Sequence, residues 1–221
     1  MPITAVETDR IALVRERLNT PVLGDVLDQL GRVHQFLPAP IRALAPGMTV
    51  AGRAMPVLVA DVFGVQQKPF GRLTEALDSL APGDVYIARG SRTDCAAWGE
   101  ILTATARTRG AAGAIIDGFH RDTDRVLAQG WPVFSRGAYG QDAGVRAAVT
   151  DVRVAIEVGQ VTVNPGDLVV GDADGVLVVP RDVEDEALER AFAKIELEHS
   201  VRESIESGST ATAAFDRFGV L

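Results

Sequence analysis

This chain of 221 residues holds one cysteine, two lysines and no long apolar run, and each shortage excludes a class of protein. Cys95 alone cannot build an internal disulfide framework, which points to a reducing, cytoplasmic setting. Lys68 and Lys194 stand against twenty arginines. Schiff-base catalysis needs a lysine of depressed pKa in an apolar pocket. Lys68 sits in the turn-like Gln66-Gln67-Lys68-Pro69 and Lys194 in a charged C-terminal stretch, so carbonyl chemistry here would need a metal instead. No apolar run approaches the roughly 20 residues that cross a bilayer. No basic segment followed by an apolar block opens the chain, so no signal peptide is expected. Neither a G-x-G-x-x-G fingerprint nor a P-loop is present, which argues against dinucleotides and ATP. A formal charge of −8 gives no general attraction to phosphate backbones, so neither nucleic acid nor membrane is an expected partner.

What is present is a well-filled globular sequence, 47% hydrophobic with mean hydropathy +0.12, most simply a single domain over residues 1–221. Two N-terminal helices are expected within residues 9–31, the second with Thr20 as N-cap, Pro21 in its first turn and Gly31 at its end. Three Pro-Gly turns, at Pro46-Gly47, Pro82-Gly83 and Pro165-Gly166, each precede a β-branched run. Residues 73–80, 96–109 and 122–129 read as helices, with strands at 114–117 and 132–134 between and after them. Alternation from Val152 to Val158 reads as one strand with a wet face, and residues 181–207 as a charged amphipathic helix followed by a tail. The pattern is mixed α/β with many antiparallel hairpins.

The chemistry concentrates in Trp98-Gly99-Glu100-Ile101-Leu102 and Asp117-Gly118-Phe119-His120-Arg121-Asp122. A helix and a strand fit between Glu100 and Arg121, so an acid at a helix start would face an Arg-Asp pair beyond the carboxyl end of a strand, where α/β sheets gather ligands. Gly99 allows close backbone approach, and amides at a helix start bind carboxylates. Each residue also has a plainer role: Asp122 as N-cap, Arg121 as a surface ion pair, Glu100 as a helix-dipole carboxylate. His120 beside the motif is a weaker candidate, and His34 and His199 lack metal-ligand spacing with it. Cys95 has no His partner and reads as a buried thiol. Asp94 could reach the site or cap the helix over 96–109, and Asp172 and Asp174 read as turn formers.

These segments, with the E-x20-R-D spacing and the run Pro-Gly-Asp-Leu-Val-Val-Gly-Asp-Ala-Asp-Gly-Val-Leu-Val-Val-Pro, resemble the RraA-like superfamily, which includes the class II HMG/CHA aldolases. The resemblance covers the chain from about Thr20 onward. It implies a three-layer β/β/α sandwich, swivelling-domain-like, with mixed sheets and a C-terminal helix. It also implies a homotrimer or homohexamer, and a Mg²⁺- or Mn²⁺-dependent lyase that cleaves a 4-hydroxy-2-oxo acid, or decarboxylates oxaloacetate, to pyruvate. On that resemblance Asp122 is the metal ligand, Arg121 stabilises enolate charge, and the amides around Gly99, Glu100, Ile101 and Leu102 hold the pyruvyl carboxylate. Glu100, where relatives often carry the shorter Asp, positions a proton-donating water. Glu198, or alternatively Glu203, is the candidate contribution from a neighbouring subunit. Arg72, Arg92 and His120 are candidates, by position, to contact the leaving half of the substrate. The same superfamily also implies a rival, a non-catalytic regulator that binds RNase E; a small-molecule sensor is a third reading.

Overall fold

The computed structural model describes residues 5–220. In chain order the helices are α1 (Ala5–Arg17), α2 (Thr20–Gln29), α3 (Leu73–Asp78), α4 (Glu100–Thr108), α5 (Thr123–Leu127), α6 (Glu184–Glu206) and α7 (Ala211–Phe218). The strands are β1 (Arg42–Ala43), β2 (Val50–Asp61), β3 (Asp84–Ala88), β4 (Ala96–Trp98), β5 (Gly113–Ile116), β6 (Phe119–His120), β7 (Val133–Ser135), β8 (Ala147–Val152), β9 (Ile156–Val158), β10 (Val161–Val163), β11 (Leu168–Gly171) and β12 (Val176–Val179).

The long strand β2 organises one mixed sheet, ordered β1-β7-β5-β3-β2-β11-β12, with β8 alongside the distal half of β2. β2, β3, β5 and β7 run parallel; β11, β12 and β8 are antiparallel additions. Just before β1, Phe36 bridges Leu177 of β12, so the two sheet edges nearly meet. Both faces are covered, which is why β3, β5, β11 and β12 are buried throughout and, apart from Asp84 at the start of β3, apolar. Inward residues Val85, Ile87, Ile115, Val169, Val176 and Val178 pack with Ile156, Val158, Val161 and Val163 of the β9–β10 hairpin. The alternate residues face helices: Leu168, Val170, Leu177 and Val179 meet α1, α2 and α6, while Tyr86, Ala114 and Ile116 join a cluster holding Ala76 of α3, Ala106 of α4 and Val126 of α5. Hairpin, sheet and helices make the β/β/α layering, and an exposed α7 packs back on α6.

Two of the Pro-Gly turns are built alike. Gly83 and Gly166 take left-handed φ values of 81° and 89°, and the following aspartates, Asp84 and Asp167, are buried. Each carboxylate accepts a backbone N–H three residues earlier, from Ala81 at 2.9 Å and Asn164 at 2.8 Å. Such Asx-type closure satisfies donors that a tight turn would otherwise leave unpaired.

Several expected boundaries move. α1 starts at Ala5, earlier than residue 9. Asn19, not Thr20, caps α2, its Oδ1 accepting from Val22 N–H at 2.9 Å. Thr20 instead donates its N–H and hydroxyl to Asp172, both at 2.7 Å, so Asp172 ties α2 to the β11–β12 turn as well as forming that turn. The first residues of the expected 96–109 helix are strand β4, because Ala96 and Trp98 pair with Phe119 and His120. Asp94 therefore has no helix start to cap. The run from Val152 to Val158 breaks at Arg153, whose φ is 57° and whose guanidinium reaches Asp84 at 2.6 Å. Of the expected tail, Ala214 is buried and Phe215 half exposed within α7; Leu221 lies outside the described residues.

Candidate active site

Trp98 anchors the site from below. Its ring lies 4.8 Å from Tyr86 and 6.2 Å from Trp131, and its Nε1 donates to Thr103 Oγ1 at 2.8 Å. Thr103 in turn donates to the Gly99 carbonyl at 2.9 Å, which closes the first turn of α4 onto the tryptophan. The next strand, β6, pairs with β4, and Arg121 N–H donates to the Trp98 carbonyl at 3.0 Å. Glu100 and Arg121 thus meet because two short parallel strands end side by side.

Asp122 follows in the left-handed region, φ 59° and ψ 37°, at the cap position of α5. It makes no side-chain capping bond there. Its Oδ2 turns instead to the start of α4 and accepts from Glu100 N–H at 3.3 Å. The N-cap expectation for Asp122 is thus replaced by a cross-link between two helix starts. Aspartate tolerates this backbone region better than most residues, yet such a conformation still costs of order 1 kcal/mol and persists where surrounding structure holds it. A Cβ at Gly99 would stand 2.8 Å from that same Oδ2, so glycine is what lets the carboxylate lie against the backbone. Two further amides of the α4 first turn, those of Ile101 and Leu102, have no acceptor among the described residues.

Around these atoms lies a cavity of about 220 Å³, lined by Phe70, Leu73, residues 96–102, Arg121, Asp122, Asp142 and Ala143. Arg121 pairs with Asp142 at 3.0 Å and stands 3.9 Å from Asp122. Glu100 pairs with Arg125 at 3.2 Å, and its carbonyl accepts from Gln129 Nε2 at 3.1 Å, so α5 braces the start of α4. Sequence reasoning missed Asp142, Arg125 and Phe70. Asp142 accepts from Gly144 N–H two residues on, an ordinary turn signal, and is brought to the pocket because Ala96 N–H donates to the Gln141 carbonyl. Phe70 carries φ 61°, an outlier for an aromatic residue, at the pocket wall.

His120 is not in the pocket. It is 4% exposed, with Nδ1 2.7 Å from Ser135 Oγ and Nε2 3.1 Å from Thr123 Oγ1. Burial pushes its pKa below the ordinary value, and a backbone hydrogen bond at Gly137 offsets this in part. Both ring nitrogens are occupied, so the residue braces β6 against β7 and cannot reach a substrate. Arg72 is bound to Glu75 and Asp151, and Arg92 also lies off the pocket lining, which corrects the expectation for all three cations. Lys68 pairs with Glu75 and Lys194 with Asp25 and Glu198, outside the pocket. Glu203 pairs with His199 on α6. Cys95 is buried beside Ser91, at 3.5 Å, and with Asp94 lines a neighbouring cavity.

Among the described residues no three His, Cys, Asp or Glu side chains cluster as a metal cage. A hard cation that keeps several waters needs only one or two carboxylates, and the half-exposed Asp122 beside Glu100 fits that sparse, all-oxygen type of site. No helix among the described residues is long and apolar enough to cross a membrane.

Comparison with known proteins identifies the family. A protein of Halalkalibacterium halodurans named "Putative 4-hydroxy-4-methyl-2-oxoglutarate aldolase" is 33% identical, covering 87% of this chain and 86% of its own. Protein DlpA of Legionella pneumophila is 28% identical over 95% of this chain, which spans only 34% of DlpA's length. A solved structure of an uncharacterized protein from Pseudomonas syringae superposes with a TM-score of 0.85 at 34% identity, covering 99% of this chain and 96% of that one. Streptomyces coelicolor RraAS2, described as an unusual member of the RNase ES inhibitor RraA family, superposes with a TM-score of 0.80 at 26% identity, covering 92% of this chain and 99% of its own. The RraA-like family model (Aldolase/RraA) matches residues 20–178, the stretch that carries the whole pocket from Phe70 to Ala143, and the chain belongs to that family.

Proposed function

We propose that this protein is a divalent-metal-dependent carbon–carbon lyase that releases pyruvate from a 4-hydroxy-2-oxo acid, with oxaloacetate decarboxylation as a side activity. The observation that carries the reading is the placement of Asp122. Its left-handed backbone aims one carboxylate at the start of α4, beside Arg121 and two unpaired amides. Asp122, with Glu100 nearby, would hold Mg²⁺ or Mn²⁺. When bound, such an ion acts as a Lewis acid that stabilises charge on a 2-oxo acid as the bond beside it breaks.

The chain's own groups divide the remaining work. The amides of Ile101 and Leu102, at the positive end of α4, suit the substrate's C1 carboxylate. Arg121 presents a guanidinium to the oxygen on which enolate charge develops, a preorganised donor in a partly enclosed site. Glu100, held by Arg125, would orient the water that returns a proton to C3. Asp142 positions Arg121. The apolar wall of Phe70, Leu73 and Leu102 limits water around the reacting carbon. Homotrimeric or homohexameric assembly, with Glu198 reaching a neighbour's site, belongs to the same proposal.

A regulator that only binds RNase E would need neither the strained Asp122 nor the pocket behind it, and the putative aldolase relative supports the enzymatic reading. Pyruvate release from a panel of 4-hydroxy-2-oxo acids and oxaloacetate, with and without Mg²⁺, tests it. Turnover should depend on the ion and fall to background in Asp122→Ala. Full activity in that variant, or indifference to EDTA, would sink the proposal.

A further inference from the structure

On the core side of the active pocket lies a second, smaller cavity of about 30 Å³. Phe70, Leu73, Ala97 and Ala143 line both, so the small cavity is an annex of the large one. Apart from Tyr86, the rest of its wall is alanine and valine from β2, β3 and β8. Tyr86, Ala88, Ala97 and Val149 all belong to the central cluster around Trp98. The annex is therefore built by one chain, however subunits meet at the mouth of the pocket.

Tyr86 is 1% exposed, and its ring is held against Trp98 with centroids 4.8 Å apart. Its hydroxyl makes no hydrogen bond among the described residues. The unpartnered side-chain atoms wholly sealed in protein are Gln35 Nε2 and Gln129 Oε1, and the Tyr86 hydroxyl is not one of them. Its free side therefore faces the cavity that Tyr86 lines. Burial pushes its pKa well above the ordinary tyrosine value, so it stays a protonated donor. A buried tyrosine hydroxyl ordinarily finds a partner. Water suits this place poorly: a buried water takes about 2–4 polar partners, and the alanine and valine side chains add none to the single phenol. A group carried on a bound molecule needs only the one, because the rest of the molecule anchors it.

We infer that the annex is a specificity subsite, in which the Tyr86 hydroxyl donates to one small acceptor, a hydroxyl or carbonyl oxygen, carried on the apolar stem of a ligand in the active pocket. The inference deepens the lyase reading by naming one feature of the substrate's leaving half. It leaves the substrate's carboxylates to the pocket proper. A site built to hydrogen-bond such a group discriminates against the analogue that lacks it, because the buried donor is then left unpaired.

Tyr86→Phe keeps the ring and removes only the oxygen. Two pairs of 2-oxo acids that cannot undergo aldol cleavage probe it. 2,4-Dioxopentanoate and 4-methyl-2-oxopentanoate exchange a carbonyl oxygen for a methyl group at C4, and 2,5-dioxohexanoate and 5-methyl-2-oxohexanoate do so at C5. In calorimetry with Mg²⁺ present, the preference for the dioxo acid in at least one pair should fall about 5- to 10-fold in Tyr86→Phe, the scale of one neutral hydrogen bond. Metal chelation by each acid is common to both proteins and cancels in that comparison. Urea unfolding should show the variant as stable as the wild type or more so, since an unpartnered hydroxyl does not support the free fold. Failure of all four acids to bind the wild type, an unchanged preference in both pairs, or a destabilised variant would overturn the inference. A shifted preference with no cleavage of any 4-hydroxy-2-oxo acid would uphold the subsite and refute the lyase.

Discussion

Two arginines, each facing two carboxylates, sit in opposite circumstances in this molecule. Arg53 is 7% exposed and donates to Glu184 at 2.5 and 2.9 Å and to Glu7 at 2.7 Å, joining α1, β2 and α6. Burial alone would disfavour its charge, but Glu184 and then Glu7 outweigh that and raise its pKa. Arg121 is 42% exposed at the side chain, has one close acid and one at 3.9 Å, and sits between a left-handed aspartate and a cavity. The ion-pair chemistry is shared. Saturation and burial make the first centre a strut, and unsatisfied donors beside a strained residue make the second a candidate site.

The sharpest way to break this comparison is to truncate the strut. Arg53→Ala leaves the buried Glu184 with only Arg10, at 4.0 Å, and breaking a buried pair typically costs about 3–5 kcal/mol. Urea unfolding should show that loss while the folded fraction keeps its turnover. A loss below about 1 kcal/mol would mean the buried pair is dispensable.

Arg121→Lys should do the reverse. An ammonium cannot reproduce the guanidinium fork, and kcat/KM should fall about 10²-fold, by analogy with removal of one preorganised donor. Unfolding free energy should move by no more than about 0.5 kcal/mol, as expected for an exposed pair. Near-normal kinetics would reduce Arg121 to a surface residue.

Gly99→Ala probes the contact between backbone and Asp122 more gently. The added methyl meets the end of a flexible side chain at 2.8 Å, so stability should change little. Displacing that carboxylate by a fraction of an ångström should still lower kcat/KM about 10-fold, since reacting geometry is sensitive on this scale. Unchanged turnover would show that the position of Asp122 is not critical.

The smallest effect concerns His120, which belongs with the strut despite its place in the motif. Its folded-state pKa lies below its ordinary value of 6.5, so the unfolded chain takes up the proton first as pH falls. Stability from this group is complete above pH 6.5 and is lost as pH drops through and below that value. His120→Gln should flatten that segment of the stability–pH curve without altering the pH profile of kcat. A shifted kcat profile would return His120 to the chemistry.

Local signals and long-range packing divided the information unequally. The Pro-Gly-Asp turns, the apolar runs of β3, β11 and β12, and the α2 face of Val22 and Val26 were legible because turn chemistry and burial period act within a few residues. The pairing of Glu100 with the Arg121–Asp122 dipeptide was legible too, from motif spacing and family resemblance. Strand β4 was hidden in an Ala-rich stretch of good helix propensity, because only its partner β6 makes it a strand. The break at Arg153 was equally invisible, since it depends on Asp84, which is 69 residues away.

By itself, the sequence determined the mixed α/β class, the turns that punctuate it, and the acid–arginine–acid set that makes up the candidate site. Only the tertiary structure decided which of those charges are free to act. Pairing Arg121 with Asp142, turning Arg125 onto Glu100, burying His120 between two hydroxyls and lining the pocket with Phe70 and Leu73 are contacts between segments far apart in the chain. A side chain's chemistry is local, but its desolvation and its partners are set by whatever the fold packs against it.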